Sequence, residues 1–230
     1  MVKKINKEPR ISINKLGEYL VSKANRQRLI LRDQKFPKDY ITSYYKEAAE
    51  AISLFIADNM QDFSILEKRK LILEQKPTSS IQNVTRISKN INAIDNFLNM
   101  IDDIDFMGAD LRLGDVSGHI KIKGVKVSVK PDIILTGNGT KGKKLVGGVK
   151  LHFNETHPLN VEAGGYISAA LQIYCRNNLA HEGLPYPKYC MTIDIGSNKV
   201  YSGVQAIAKR EKDIEAACEQ IYNLWSSVRE

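Results

Sequence analysis

The sequence predicts an α+β fold in which helices flank a central mixed β-sheet, with a helical extension at the N-terminus. Apolar residues recur with the helical period of about 3.6 up to residue 101. Between residues 119 and 153 they alternate with polar ones, as they do in half-buried strands. A helical segment then separates these strands from two more, which gives an α/β-like crossover.

The N-terminal part is predicted to hold four helices behind a loose basic arm, residues 1–10. Ser12 is a suitable N-cap, because its hydroxyl oxygen can accept a hydrogen bond from a free backbone N–H. The dipeptide Phe36-Pro37 ends the basic second half of the first helix. The predicted helices cover residues 12–32, 39–59, 63–75 and 84–101.

The loop at residues 76–80, Lys-Pro-Thr-Ser-Ser, is the best candidate for a domain boundary. It divides the chain into an N-terminal helical region, 1–76, and an α/β core, 77–230, although one continuous domain is an open alternative. In the second helix, Tyr44 and Tyr45 are interpreted as core packing rather than as a platform for base stacking. The aspartates after the fourth helix are interpreted as a solvated loop, with a further metal ligand as the alternative: Asp102, Asp103, Asp105 and Asp110.

The strands come next. Residues 119–123 and 125–129 are predicted to form strands, and Val125, Val127 and Val129 share one face of theirs. A strand at 145–153 follows, and then a helix that Asn160 can cap. Residues 189–195 and 199–204 are predicted to form a hairpin, and the last helix, 210–228, has one apolar stripe: Ile214, Ala217, Cys218, Ile221, Leu224, Trp225 and Val228.

Composition restricts the kind of protein. Apolar residues make up 43% of the 230 residues, enough for a core, and no apolar run approaches the roughly 20 residues that span a bilayer. The basic N-terminus has no hydrophobic region behind it, so no secretory signal is expected. Three widely spaced cysteines do not form a disulfide or zinc pattern. We expect a cytoplasmic protein with reduced thiols and no membrane partner.

The formal net charge of +8 favours a polyanionic partner. Between residues 121 and 150 there are eight lysines and a single acid, Asp132. Such a lysine-rich segment suits phosphate binding, and the alternative is a solvated hairpin whose lysines prevent strand aggregation. The lysines predicted to bind nucleic acid, with DNA favoured over RNA, are Lys130, Lys141, Lys143 and Lys144.

Two polar side chains share one face of the strand at 145–153. Because side chains alternate along a strand, Lys150 and His152 lie on the face that also carries Val146 and Gly148. The preceding β-rich run ends in Pro131-Asp132-Ile133-Ile134-Leu135. Proline there suits a strand edge or bulge, where a side chain can be redirected. His152 is interpreted as a structural histidine, with a proton shuttle as the alternative.

The Pro-Asp pair in one β-rich run and the lysine in the next resemble the PD-(D/E)XK nuclease superfamily, over roughly residues 114–204. The resemblance implies a restriction-endonuclease-like core in which an aspartate and a lysine on neighbouring strands bind metal and stabilise charge. One position departs from the motif, since the acid expected two residues before the lysine is Gly148. In some restriction enzymes a glutamate on the following helix replaces that acid.

The resemblance therefore implies a catalytic set of Asp132, Lys150 and Glu162. Asp132 and Glu162 would bind Mg²⁺ or Mn²⁺, with Glu155 as the second choice for the migrated ligand. Tyr166, one turn after Glu162, is predicted to contact a phosphate. A glutamate in the first turn of a helix is also favoured by the helix dipole alone, by about 0.3–1 kcal/mol.

The function implied is Mg²⁺-dependent hydrolysis of DNA phosphodiester bonds, whether internal or from an end. Two alternatives remain open: an inactive nuclease fold that binds nucleic acid, and an inactive fold that binds a partner protein. A homo-oligomer is also left open.

Overall fold

Eight strands in two sheets and seven α-helices make up the part of the chain that the structure describes. This computed structural model describes residues 5–37, 44–78, 80–114 and 118–230. The helices are α1 Ile13–Val21, α2 Ala24–Lys35, α3 Lys46–Ala57, α4 Ser64–Glu74, α5 Ile81–Asn99, α6 Val161–Asn178 and α7 Ala208–Trp225. The strands are β1 Arg10–Ser12, β2 Asp110–Leu113, β3 Gly118–Ile122, β4 Val125–Val129, β5 Ile133–Asn138, β6 Lys144–His152, β7 Leu184–Asp194 and β8 Lys199–Ser202.

The larger sheet has five strands in the order β2-β5-β6-β7-β8. Strands β2, β5 and β6 are antiparallel neighbours, α6 then crosses over, and β7 pairs parallel to β6. Strand β8 completes the predicted hairpin by pairing antiparallel with β7. The predicted class, helices followed by mixed sheets that helices flank, is confirmed.

The smaller sheet has the order β1-β4-β3. The sequence predicted the β3–β4 hairpin but not β1, which pairs parallel with β4 in the register Arg10↔Lys126. The loose arm is therefore a wrong prediction for residues 5–10, while residues 1–4 lie outside the described residues. Asn6 N–H donates to Lys35 O at 2.9 Å, and the indole N–H of Trp225 donates to Lys7 O at 3.2 Å.

Helix boundaries follow local chemistry. The Ser12 hydroxyl accepts from Lys15 N–H and caps α1, as predicted. The single helix expected at 12–32 is two helices, because the backbone of Ser22 and Lys23 is extended. Asn160 caps α6 as predicted, by accepting from Ala163 N–H at 2.8 Å. The start of the helix predicted at 39–59 lies partly outside the described residues, which resume at residue 44.

A hydrophobic cluster lies on each face of the larger sheet. Strand β6 contributes Val146 to the cluster shared with α1, α6 and α7. It contributes Val149 and Leu151 to the cluster shared with α3 and α5, so the predicted alternation is confirmed. The α7 stripe is buried except at Leu224, which is 39% exposed, and at the half-buried Val228.

Contacts cross residue 76, where the sequence analysis placed a candidate boundary. Helix α1 packs on α6, β1 joins the sheet of β4, and α3 packs on α5. The division at residue 76 stays a prediction. None of the helices in the described residues combines the length and apolar character needed to cross a membrane.

Candidate functional site

Asp132 and Lys150 form an ion pair at the start of β5. The register places Ile133 opposite Val149, so the residue before β5 lies beside the one after Val149. Lys150 Nζ donates to Asp132 Oδ2 at 2.6 Å, and Leu151 N–H donates to the same oxygen at 2.7 Å. Both side chains are about five-sixths buried, with 16% and 15% exposure. Asp132 directly precedes β5, Lys150 lies on the neighbouring strand β6, and their side chains are in direct contact.

The backbone fixes the position of Asp132. Its N–H donates to Val149 O at 2.7 Å, and its carbonyl accepts from Gly114 N–H at 3.0 Å. Pro131, which has no N–H to donate, stands just before this point. The carboxylate is therefore held between the end of β2 and the middle of β6.

Two clefts meet at this ion pair. The large cleft has a volume of about 930 Å³ and Asp132 lines it. The basic cleft has a volume of about 400 Å³ and Lys150 lines it. The two clefts share three lining residues, so together they form one groove that passes the ion pair: Ser12, Asn14 and Lys130.

Helices of the N-terminal region build the wall of the large cleft opposite the ion pair. Its cations are Lys15, Lys46, Arg69 and Lys130, and its carboxylates are Glu50 and Asp132. Glu50 lies 3.7 Å from the Lys46 ammonium and 3.6 Å from the Arg69 guanidinium. The charge balance of this cleft is therefore positive, which favours an anionic ligand.

Three aromatic side chains also line the large cleft, namely Tyr44, Tyr45 and Phe153. Tyr45 stacks on Phe153 with ring centroids 5.3 Å apart, and Tyr44 meets Tyr45 edge-on at 5.7 Å. Tyr45 packs against the core cluster, as the sequence analysis interpreted it.

His152 is 5% exposed and lines the large cleft. Burial lowers its pKa, and the nearby Asp194 carboxylate opposes that shift only in part. Its Nε2 has a long contact, 3.5 Å, with His157 O. A neutral, packed imidazole agrees with the structural interpretation of this residue.

Glu162 and Tyr166 lie away from the groove, in the first turns of α6. Glu162 is exposed, and neither residue lines either cleft. The Tyr166 hydroxyl donates to Asp213 Oδ2 at 2.9 Å. Burial, together with that bond, raises the pKa of Tyr166 to about 12. Glu155 is exposed and pairs with Lys89 at 3.3 Å.

Only one of the four predicted nucleic-acid-binding lysines lies at the groove, namely Lys130. Lys141 and Lys143 are exposed in the β5–β6 turn, and Lys144 is exposed as the first residue of β6. Strand geometry of about 3.3 Å per residue puts Lys144 some 20 Å along β6 from Lys150. The lysine-rich segment is thus divided between the groove and a distant turn.

The donor set at the ion pair suits a metal that arrives with a phosphate. Within the described residues, no three His, Cys, Asp or Glu side chains converge. Asp132 Oδ2 receives two hydrogen bonds, and no described donor bonds to Oδ1. Mg²⁺ is often held by one or two carboxylates together with substrate phosphates, so Asp132 Oδ1 fits as its protein ligand.

The sequence analysis missed several groove residues. Arg10, Lys15 and Arg69 come from segments that are distant in sequence, and no local pattern indicates their position. Lys126 and Ser128 could have been found, because they alternate with the buried valines of β4 and so share the face of Lys130.

No protein-family model matches this chain, and no curated protein matches it either.

Proposed function

We propose that this protein binds nucleic acid, with DNA as the favoured substrate, and hydrolyses its phosphodiester bonds with Mg²⁺ or Mn²⁺. One observation carries the proposal: the contact of Lys150 with Asp132 lies where two cationic clefts meet. A carboxylate beside a lysine, in a groove that attracts anions, is the arrangement that metal-assisted phosphodiester hydrolysis needs.

The fold supports a restriction-endonuclease-like core. Strands β2, β5 and β6 are antiparallel neighbours, and α6 leads to the parallel strand β7. Asp132 stands at the start of β5 and Lys150 on the neighbouring strand β6, which agrees with the resemblance to PD-(D/E)XK nucleases.

Each of the two residues has a role in the proposed reaction. Asp132 Oδ1 is the oxygen that would hold a divalent cation, which when bound polarises the phosphate and lowers the pKa of a water. Lys150 offers an ammonium to the charge that develops on the phosphate oxygens. Partial burial strengthens both interactions, since nearby water screens them less.

The test compares cleavage of plasmid, single-stranded DNA and RNA, with Mg²⁺ or Mn²⁺. Wild type is expected to cleave at least one of these substrates. Asp132→Asn and Lys150→Met are expected to stop cleavage while keeping most of the binding, since each change keeps the side-chain size. Lys199→Gln, an exposed lysine on β8, is the matched control. Cleavage that survives Asp132→Asn would overturn the assignment.

The migrated glutamate is tested separately, by calorimetry with Mn²⁺ in the presence of a non-cleavable oligonucleotide. Because Glu162 lies outside both clefts, Glu162→Gln is expected to leave Mn²⁺ affinity unchanged, whereas Asp132→Asn is expected to lower it. A loss of affinity in Glu162→Gln would restore Glu162 as a ligand.

A second candidate function is nucleic-acid binding without cleavage. It is favoured by the glycine at position 148, and by the lack of a group of three His, Cys, Asp or Glu side chains that could hold a metal among the described residues. Salt-dependent binding by a wild type that cleaves nothing in either metal would establish it. Binding that is independent of salt would instead indicate a partner protein.

A further inference from the structure

We propose that the basic cleft is a binding site for the terminal phosphate of a nucleic-acid strand. The proposal rests on the proposed function, because the phosphate would belong to the strand that passes Asp132 and Lys150. It adds a substrate feature, a phosphorylated end, which that function leaves undefined.

The floor of the basic cleft is the polar face of the smaller sheet. The register aligns Arg10 with Lys126 and His119 with Ser128, and cross-strand partners lie on the same face. All four residues line the cleft. The opposite face carries the buried Ile11, Val125 and Val127 and joins the core, so the floor is rigid.

Four cations line this cleft, namely Arg10, Lys126, Lys130 and Lys150. No aspartate or glutamate is among the described residues that line it. Only Lys150 is paired, with Asp132, whereas the other three form no ion pair with any described residue. Arg10 is instead oriented by a hydrogen bond from its guanidinium to Ser128 Oγ, at 3.3 Å.

Three cations that form no ion pair with the described residues suit a terminal phosphate better than an internal one. A phosphate monoester carries close to two negative charges at neutral pH, whereas each internal phosphodiester carries one. Hydrogen bonds from guanidinium and ammonium groups to phosphate are the strong, charge-assisted kind. The volume of about 400 Å³ lies within the range of roughly 300–1,000 Å³ that small ligands occupy.

Because the basic cleft adjoins the ion pair, a terminal phosphate bound there would determine where the strand is cleaved. Lys130, Ser12 and Asn14 line both clefts, so a strand whose end is held in the basic cleft continues past the ion pair into the large cleft. Cleavage would then occur close to the strand end and release short products.

The test measures binding by fluorescence anisotropy, with a chelator present so that no cleavage occurs. The probes are one oligonucleotide sequence with a 5′-phosphate, with a 3′-phosphate and with hydroxyls at both ends, each as DNA and as RNA. At least one phosphorylated probe is expected to bind wild type about tenfold more tightly than the hydroxyl probe, the effect of one charge-assisted hydrogen bond.

Variants locate the effect. Lys126→Gln, at an exposed residue that no described ion pair involves, is expected to weaken binding of the phosphorylated probe more than that of the hydroxyl probe and so to remove the preference. Arg10→Gln is expected to act likewise, and thermal melting checks that β1 stays folded. Lys199→Gln should keep the full preference. Equal binding of all probes by wild type, or a preference that survives both groove variants, overturns the proposal.

The two experiments distinguish failure of the nuclease proposal from failure of the phosphate-site proposal. A protein that prefers phosphorylated ends but cuts no substrate with Mg²⁺ or Mn²⁺ keeps the phosphate site and loses the nuclease assignment. A protein that cuts but binds all probes equally keeps the nuclease assignment and loses the phosphate site.

Discussion

Gly148 packs against Pro131 so closely that a Cβ atom on residue 148 would lie 3.2 Å from the Cβ of Pro131 and 3.4 Å from Ile133 O. This is the position where the PD-(D/E)XK pattern has an acid. The pyrrolidine ring is rigid, and the next residue, Asp132, is held by hydrogen bonds on both sides. The glycine therefore belongs to the packing around Asp132.

We expect Gly148→Ala to lower the free energy of unfolding by about 1 kcal/mol, the cost of a modest overpacking. Thermal denaturation measures it. Gly139→Ala is the matched control, because a Cβ there meets the flexible end of Leu145, at 3.1 Å. A Gly148→Ala protein as stable as wild type would contradict the packing argument.

The salt dependence of DNA binding shows whether DNA contacts the groove or the lysine-rich β5–β6 turn. Each neutralised phosphate contributes about 0.9 to the log–log slope of duplex binding against salt. Lys130→Gln is therefore expected to reduce the magnitude of the slope by about 0.9. The triple variant Lys141→Ala, Lys143→Ala, Lys144→Ala tests whether the turn also binds DNA. A slope that changes only in the triple variant would move the interface away from the groove.

Glu18 makes stability depend on pH. Burial alone would raise the pKa of this carboxyl, but Lys15 and Arg26 hydrogen-bond to it and lower the pKa below its ordinary value of 4.5. Because the pKa of Glu18 is lower in the folded state than in the unfolded state, the ionised carboxylate stabilises the fold above pH 4.5. This stabilisation is lost as the pH falls through the folded-state pKa.

Glu18→Gln is accordingly expected to lower the free energy of unfolding by about 1–3 kcal/mol near neutral pH, because it removes the charged partner of two cations. The difference from wild type should shrink as the pH falls below 4.5 in urea denaturation. Glu74→Gln, an exposed residue of α4, should differ little from wild type at any pH. A difference that is constant with pH would show that the ion pairs are not its source.

Tyr166 is expected to contribute to the stability of the fold and not to DNA binding. Tyr166→Phe removes the hydrogen bond to Asp213 and is expected to lower the free energy of unfolding by about 0.5–1.5 kcal/mol. The affinity for DNA is expected to stay unchanged. Since the pKa is raised to about 12, this contribution is complete below pH 10 and is lost as the pH rises toward 12. Absorbance titration and melting measure both effects, with the exposed Tyr222→Phe as control. Weaker DNA binding by Tyr166→Phe would support its predicted phosphate contact.

Features that depend on residues close together in the sequence, such as helix caps and strand alternation, could be predicted. The caps at Ser12 and Asn160 follow from side-chain hydrogen bonding within a few residues. The alternation along β4 and β6 follows from burial of one face, and it brought Lys150 beside Asp132. These features could be predicted from the sequence alone.

Long-range packing determined the rest. Strand β1 has three residues and little stability of its own, so only its pairing with β4 makes it a strand. Local rules place Glu162 in the first turn of α6, but how α6 packs decides which surface that turn meets. The opposite wall of the large cleft comes from α3 and α4, whose docking no periodicity indicates.

The pairing of β1 has a consequence for the order of folding. Residues 10–12 find their partners only at 126–128, and Lys35 Nζ bonds to Trp225 O at 2.7 Å. At translation rates of about 5–20 residues per second, Trp225 leaves the ribosome on the order of ten to forty seconds after β1. Ile11 and Ile13, fully buried in the end, are unprotected during that interval. The nascent chain therefore presents an apolar segment to chaperones at least until residues 126–128, the partners of β1, have been made.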